Sequence, residues 1–232
     1  MNTDIRTALA AANRILVHKG VLDAYGHISA RDPERPDRFL LSRNLAPGLV
    51  TPADIIAFDL DGAPIDDDRP VYLERFIHAA IYAARPDVQS VVHSHAPDVL
   101  PFSVTAEPLK PIMHMAGFLG AGASKFDLHE VSGDGTDLLI KGLDTAGAVA
   151  ASLGDGAVVL MRGHGFVTAA ASVPLAVYQS IYTQVNAHAL QQARALGEVT
   201  YLSIAEARSA REANDGQVGR AWKVWCERVA ID

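Results

Sequence analysis

One cysteine, Cys226, stands among 232 residues, so no disulfide can close within the chain and thiolate clusters are excluded as metal sites. Any metal must be held by nitrogen and oxygen. Aromatic residues make up only 6%, and no apolar run approaches the roughly 18 residues of a membrane span. Lys/Arg clusters are missing too. The net charge of −7 is spread along the chain, leaving no basic surface to neutralise a run of phosphates, so nucleic acid is not expected as a partner. No repeat, low-complexity tract or linker divides the chain. The N-terminus carries Asp4 early and repeats Ile5, Leu9, Ala12, Ile15 and Leu16 at helical spacing, unlike the basic start and unbroken apolar stretch of a signal peptide. The expectation is a cytoplasmic protein with no membrane partner.

What is present, 49% hydrophobic and 20% charged residues, is an ordinary globular composition able to bury a sizeable core. A first helix should end near Gly20, with half-buried strands at 25–31 and 38–42. Asp61-Gly62 between 55–60 and 63–65 signals a hairpin, because this pair readily takes the positive φ angles of a two-residue turn. A helix over 73–84, stopped by Pro86, precedes a strand over 89–94. Helix 138–153, strand 157–161 and a long helix 174–196 follow, and the C-terminal third reads as helical. The pattern predicts a single α/β domain over 1–232, a mixed, mainly antiparallel sheet between helical layers. The charged tail from Ser203 reads as a solvated helix or as an arm on a neighbouring chain.

Nine histidines are present, and His18, His129 and His188 are read as binding nothing. His93 and His95 differ, because a period of two on the apolar strand 90–95 puts both imidazoles on one face. Two convergent nitrogens are half of a metal site, with a structural role as the alternative. A third candidate, His164, follows strand 157–161 between Gly163 and Gly165, which allow close approach or mark only a tight turn. Glu74 opens the helix before the histidine strand, where the helix dipole favours a carboxylate and where a plain first-turn acid would also sit. His78, one turn later, lies over Glu74 and is read as structural.

The ordered motifs Glu74-Arg75-Phe76-Ile77-His78-Ala79-Ala80-Ile81-Tyr82, Arg85-Pro86-Asp87-Val88, Val91-Val92-His93-Ser94-His95 and Gly163-His164-Gly165 resemble the class II aldolase/adducin family over nearly the whole chain. The resemblance implies a divalent metal, zinc or else Mn, Fe or Co, on His93, His95 and His164. It further implies Glu74 as the acid/base and a homotetramer with active sites at subunit interfaces. In that chemistry two neighbouring substrate oxygens chelate the ion, which stabilises an enolate as a carbon–carbon bond breaks. Sugar-phosphate members have a Gly-Asn pair, a Ser/Thr-Gly pair and small hydroxyl residues before the glutamate. Gly26-His27, Ser42-Arg43-Asn44 and Tyr72-Leu73 stand at the matching places, so a phosphate cradle is not expected. His27, Ser42 and Arg43 would instead suit a planar carboxylate beside apolar Tyr72, Leu73 and Phe102. Met115 follows His114, a further candidate substrate-binding residue, where aldolase members resemble one another in a proton-donating tyrosine. The reading is a metal-dependent decarboxylase of a small hydroxy-aromatic, dihydroxyphthalate-like, or β-keto acid. The alternatives are aldol cleavage of a hydroxy-keto acid or sugar phosphate, and a non-catalytic adducin-like binding module.

Overall fold

Asp4 accepts a hydrogen bond from the Thr7 amide and opens α1 (Ile5–His18), which buries the face carrying Leu9, Ala12, Ile15 and Leu16. The computed structural model describes residues 4–229. It continues through β1 (His27–Arg31), β2 (Arg38–Ser42), β3 (Ile55–Asp59), α2 (Arg75–Ala84), β4 (Ser90–Ser94) and α3 (Leu100–Val104). A 3-10 turn at His114–Leu119 precedes β5 (Ser124–Phe126), α4 (Leu128–Ser132), α5 (Leu143–Leu153), β6 (Val158–Met161) and β7 (Gly165–Ala170). The chain closes with α6 (Val173–Leu196), α7 (Ile204–Asp215) and α8 (Val218–Arg228).

The strands form one seven-stranded sheet in the order β3-β2-β1-β4-β7-β6-β5, antiparallel everywhere except β5 against β6. Alternation then sorts the side chains between two cores. Ile28, Ala30, Leu40, Val92, Leu160 and Phe166 face one core with α1, α6 and α8. Phe39, Leu41, Val91, Val159, Met161 and Val167 face the other with α2 and α5. This is the expected mixed sheet between helical layers, and β4 lies at its centre.

Several boundaries differ from those the sequence predicts. Helix 138–153 begins only at Leu143, because Leu138 takes a φ of 65° and the next residues spend their backbone groups elsewhere. The hairpin keeps its turn, with Gly62 at φ 79°, but its return arm is reduced to a single bridge, Phe58 to Pro64. Proline at that place has no N–H to extend the ladder. Strands β5 and β7 are not predicted at all. The charged tail packs on its own chain: Ala207 of α7 is fully buried, and Val218 and Trp225 of α8 join the α1/α6 core.

Gly165 starts β7 where the backbone of Ser94 passes closest. A Cβ added there would sit 2.2 Å from the Ser94 carbonyl oxygen, a contact that only a backbone shift could relieve. Gly165→Ala is therefore expected to lower Tm by at least about 2 °C, from an overpacking cost of roughly 1 to 3 kcal/mol. Gly147→Ala, on α5 with nothing within 4 Å of the added carbon, should hold or raise Tm in the same melting experiment. Equal melting temperatures for both variants would contradict the close approach.

Candidate metal and acid–base site

Helix α2 carries Glu74 at its N-cap and His78 and Tyr82 one and two turns later, a single stripe along its length. Beneath it β1 and β4 pair His27 with His93 and Ser29 with Val91, so that His27, Ser29 and His93 share the face that α2 covers. His95 lies just past the end of β4, and His164 occupies the turn between β6 and β7. The Nε2 atoms of His93, His95 and His164 then converge. They stand 3.0 Å apart for His93 and His95, 3.2 Å for His93 and His164, and 3.0 Å for His95 and His164. Glu74 Oε2 lies 3.4 Å from Nε2 of both His93 and His164.

The outer nitrogens show what this triangle is built to hold. His93 Nδ1 lies 3.2 Å from the Phe166 carbonyl oxygen, and His164 Nδ1 lies 2.7 Å from that of Leu138. A carbonyl only accepts, so both rings carry a proton on Nδ1 and turn an Nε2 lone pair inward. Facing lone pairs at 3.2 Å repel unless a positive centre lies among them. A tetrahedral ion at 2.0 to 2.1 Å from its ligands would separate two nitrogens by about 3.3 Å, and an octahedral one by about 3.0 Å. The donor set fits a divalent ion and favours no particular metal.

The members of the cluster also act on one another's protons. Burial alone would raise the Glu74 carboxyl, but its contacts with His164 and His93 outweigh that and hold it far below the usual carboxylate range. Burial, and then the neighbouring His93 and His164, push His95 down to about 3. His164 moves the other way: burial opposes a charge there, yet the Glu74 carboxylate and the Leu138 carbonyl together raise it. The segment before α5 serves both partners, since the Leu138 carbonyl accepts from His164 and the Ile140 N–H donates to Glu74 Oε1 at 3.0 Å. One carboxylate oxygen is thus fixed and the other faces the three nitrogens.

Of the remaining candidates, His27 lies nearest the cluster, its ring centroid 5.3 Å from that of His93 and 4.6 Å from that of Tyr72. Gly26 makes this seat possible: it has φ 83°, and a Cβ there would meet the His93 carbonyl oxygen at 2.8 Å. Burial, then His78 and His93, lower the His27 pKa well below that of free histidine, and burial, then His93, lowers His78 to about 3. Both rings are neutral. Ser42 is buried with its hydroxyl 3.1 Å from the Tyr72 oxygen. Arg43 Nε donates to Asp54 Oδ1 at 2.7 Å, so one edge of its fork is taken by this acid. Its two terminal nitrogens have no partner among the described residues.

Not every expected residue joins the site. His114 is exposed on its 3-10 turn, with the Asn214 amide of α7 donating to its carbonyl at 3.1 Å, and within one chain it stands apart from the cluster. Phe102 is buried in the α1/α6 core. His129 and His188 pair with Asp134 and Asp98 on the surface. Ser29 and Tyr82 were not singled out in the sequence, although His27-x-Ser29 at strand period and Glu74, His78, Tyr82 at helical period are the signals that place them here.

Three imidazoles and a carboxylate gathered at one point of an α/β sheet form a site that could hold a single divalent ion, the class of site seen in metal-dependent enzymes. The chain belongs to the class II aldolase and adducin family, whose N-terminal domain matches residues 7–190. It is 41% identical to the decarboxylase tropJ of Talaromyces stipitatus over 97% of this chain and 93% of that protein. It is 32% identical to a 3,4-dihydroxyphthalate decarboxylase of Arthrobacter keyseri over 76% of this chain and 73% of that one. Among solved structures, an L-fuculose 1-phosphate aldolase from Glaciozyma antarctica superposes with a TM-score of 0.79 at 25% identity, covering 96% of this chain and 88% of its own.

Proposed function

We propose that the protein is a metal-dependent decarboxylase of a small hydroxylated aromatic acid of the dihydroxyphthalate type. The observation that carries the substrate class is the wall formed by His27 and Tyr72 beside His93, two rings at 4.6 Å where a phosphate would need small residues and open backbone. Planar rings suit a planar substrate. The two relatives named as decarboxylases point the same way.

A divalent ion bound at the cluster would supply Lewis-acid polarisation of substrate oxygens. His93, His95 and His164 would hold that ion, and Glu74 works beside it. As a carboxylate, Glu74 takes the proton of a substrate hydroxyl, which drives electron density into the ring. Glu74 then returns that proton to the ring carbon bearing the carboxylate, and carbon dioxide leaves from it, the bond pair falling back into the ring to restore its aromaticity. One solvent proton restores the hydroxyl. His27, Ser42 and the free edge of Arg43 would position the departing carboxylate. Zinc is the proposed ion. The homotetramer with interfacial sites and the cytoplasmic location belong to the same proposal, and assembly would give His114 a site to reach.

The test is carbon dioxide release from 3,4-dihydroxyphthalate set against aldehyde release from a ketose phosphate. Efficient turnover of the phosphate alone would overturn the substrate class. For Arg43→Lys, kcat/KM on the acid should fall at least about tenfold, since a charge-assisted hydrogen bond is worth roughly 1.5 to 3 kcal/mol. An unchanged value would reduce Arg43 to its pairing with Asp54.

A further inference from the structure

Behind His27 runs a closed hydrogen-bonded chain. His27 Nδ1 lies 2.7 Å from His78 Nε2, His78 Nδ1 lies 2.6 Å from Ser29 Oγ, and Ser29 Oγ lies 2.7 Å from the Tyr82 hydroxyl. Ser29 and His78 are fully buried, and Tyr82 and His27 keep 1% and 4% of their surface. Four polar side chains in a buried core would be an unusual expense for packing alone.

The direction of each bond follows from the closed end. Among the described residues, Ser29 Oγ is the one side-chain or carbonyl group within reach of the Tyr82 hydroxyl. A buried phenol must donate, so Tyr82 donates to Ser29. Ser29 then turns its own proton to His78 Nδ1. A neutral imidazole has one N–H, so that of His78 is on Nε2, and it donates to His27 Nδ1. The proton of His27 is therefore on Nε2. That atom has no partner among the described residues and is not one of the sealed, unpartnered polar atoms, so its hydrogen points into accessible space beside the cluster.

We propose that Tyr82, Ser29 and His78 are positioning residues that lock His27 in the Nε2–H tautomer, making it a fixed neutral donor to a substrate oxygen and not a base. The substrate half of this statement rests on the function proposed above. A donor held this way selects an acceptor, and an ionised carboxylate accepts far better than a neutral ester or amide. It also excludes His27 from taking a proton during turnover. Such a proton would have to leave through Tyr82, where the chain ends in the core.

The tautomer is directly observable. In the zinc-loaded enzyme, chosen because it is diamagnetic, a long-range proton–nitrogen NMR correlation of ¹⁵N-histidine protein should show His27 protonated at Nε2 and bare at Nδ1. His27→Gln would identify the signals. A proton on Nδ1 would overturn the proposal. Two variants add a functional readout. His78→Gln keeps an amide N–H near His27 Nδ1, whereas His78→Leu removes it. KM for the acid should rise at least about tenfold in His78→Leu, with kcat less affected and metal content unchanged, and should be largely restored in His78→Gln. Equal effects of the two substitutions would count against the chain. Should His78→Leu not fold, the tautomer measurement on the unaltered enzyme still decides. Release of no carbon dioxide from any aromatic acid, with the Nε2–H tautomer in place, would overturn the proposed function and leave the donor assignment standing.

Discussion

Replacing His93 by alanine is expected to abolish bound metal and turnover together. Its Nε2 lies within 3.4 Å of His95, His164 and Glu74, so this one nitrogen touches every other member of the cluster. The side chain is fully buried and its outer nitrogen is committed to the Phe166 carbonyl, so no neighbouring group can take its place. Two imidazoles then remain, and a catalytic ion ordinarily takes about three protein ligands. Losing the ion removes several kcal/mol of charge stabilisation, a fall in turnover of about 10³-fold or more. His95→Ala and His164→Ala should behave alike. Elemental analysis after dialysis reads the outcome, and full occupancy in all three variants would sink the ligand assignment.

Glu74→Gln separates proton transfer from binding. Glutamine keeps the shape and can still accept from the Ile140 N–H, so the loop before α5 stays in place and the three histidines remain free to hold metal. What it loses is an ionisable oxygen facing the cluster. Turnover should fall by roughly 10²- to 10⁴-fold with metal content unchanged. Deuterium from heavy water should enter the product at the carbon that lost its carboxylate in the wild type. A variant with wild-type turnover would mean that another group moves the proton.

Much of the site was legible because each part obeys a short period. His93 and His95 are two apart on a strand, and Glu74 and His78 are four apart on a helix, so local rules already place each pair. His164 was visible from its position at a strand end between glycines. What was hidden lies in the backbone. The carbonyls of Phe166 and Leu138 and the amide of Ile140 fix the two imidazoles and the carboxylate, and any side chain could carry those groups. The same cause explains the misplaced start of α5. Leu138, Leu139 and Ile140 have apolar side chains compatible with a helix, but tertiary bonds claim the backbone of Leu138 and Ile140 first. Strand β7 escaped because Gly165, Ala169 and Ala170 weaken its signal, and its burial on both faces removes any alternation. Arg43 shows the opposite limit. Its sequence position argues for a ligand or for pairing with an acid such as Asp54, and the coordinates show Asp54 holding one edge of it.

The seam between β1 and β4, where His27 stands opposite His93, divides the site into two heritable modules. The three nitrogens come from β4 and the β6–β7 turn, on one side of it. His27, Ser42 and Arg43 come from β1 and the end of β2, on the other, with Gly26 as the tight backbone contact between them. On the proposed function, substitutions at 27, 42, 43 and 72 are therefore expected to change what is recognised without dismantling the ion's seat. The β1–β2 side of this seam is then the place to begin directed evolution toward a new substrate.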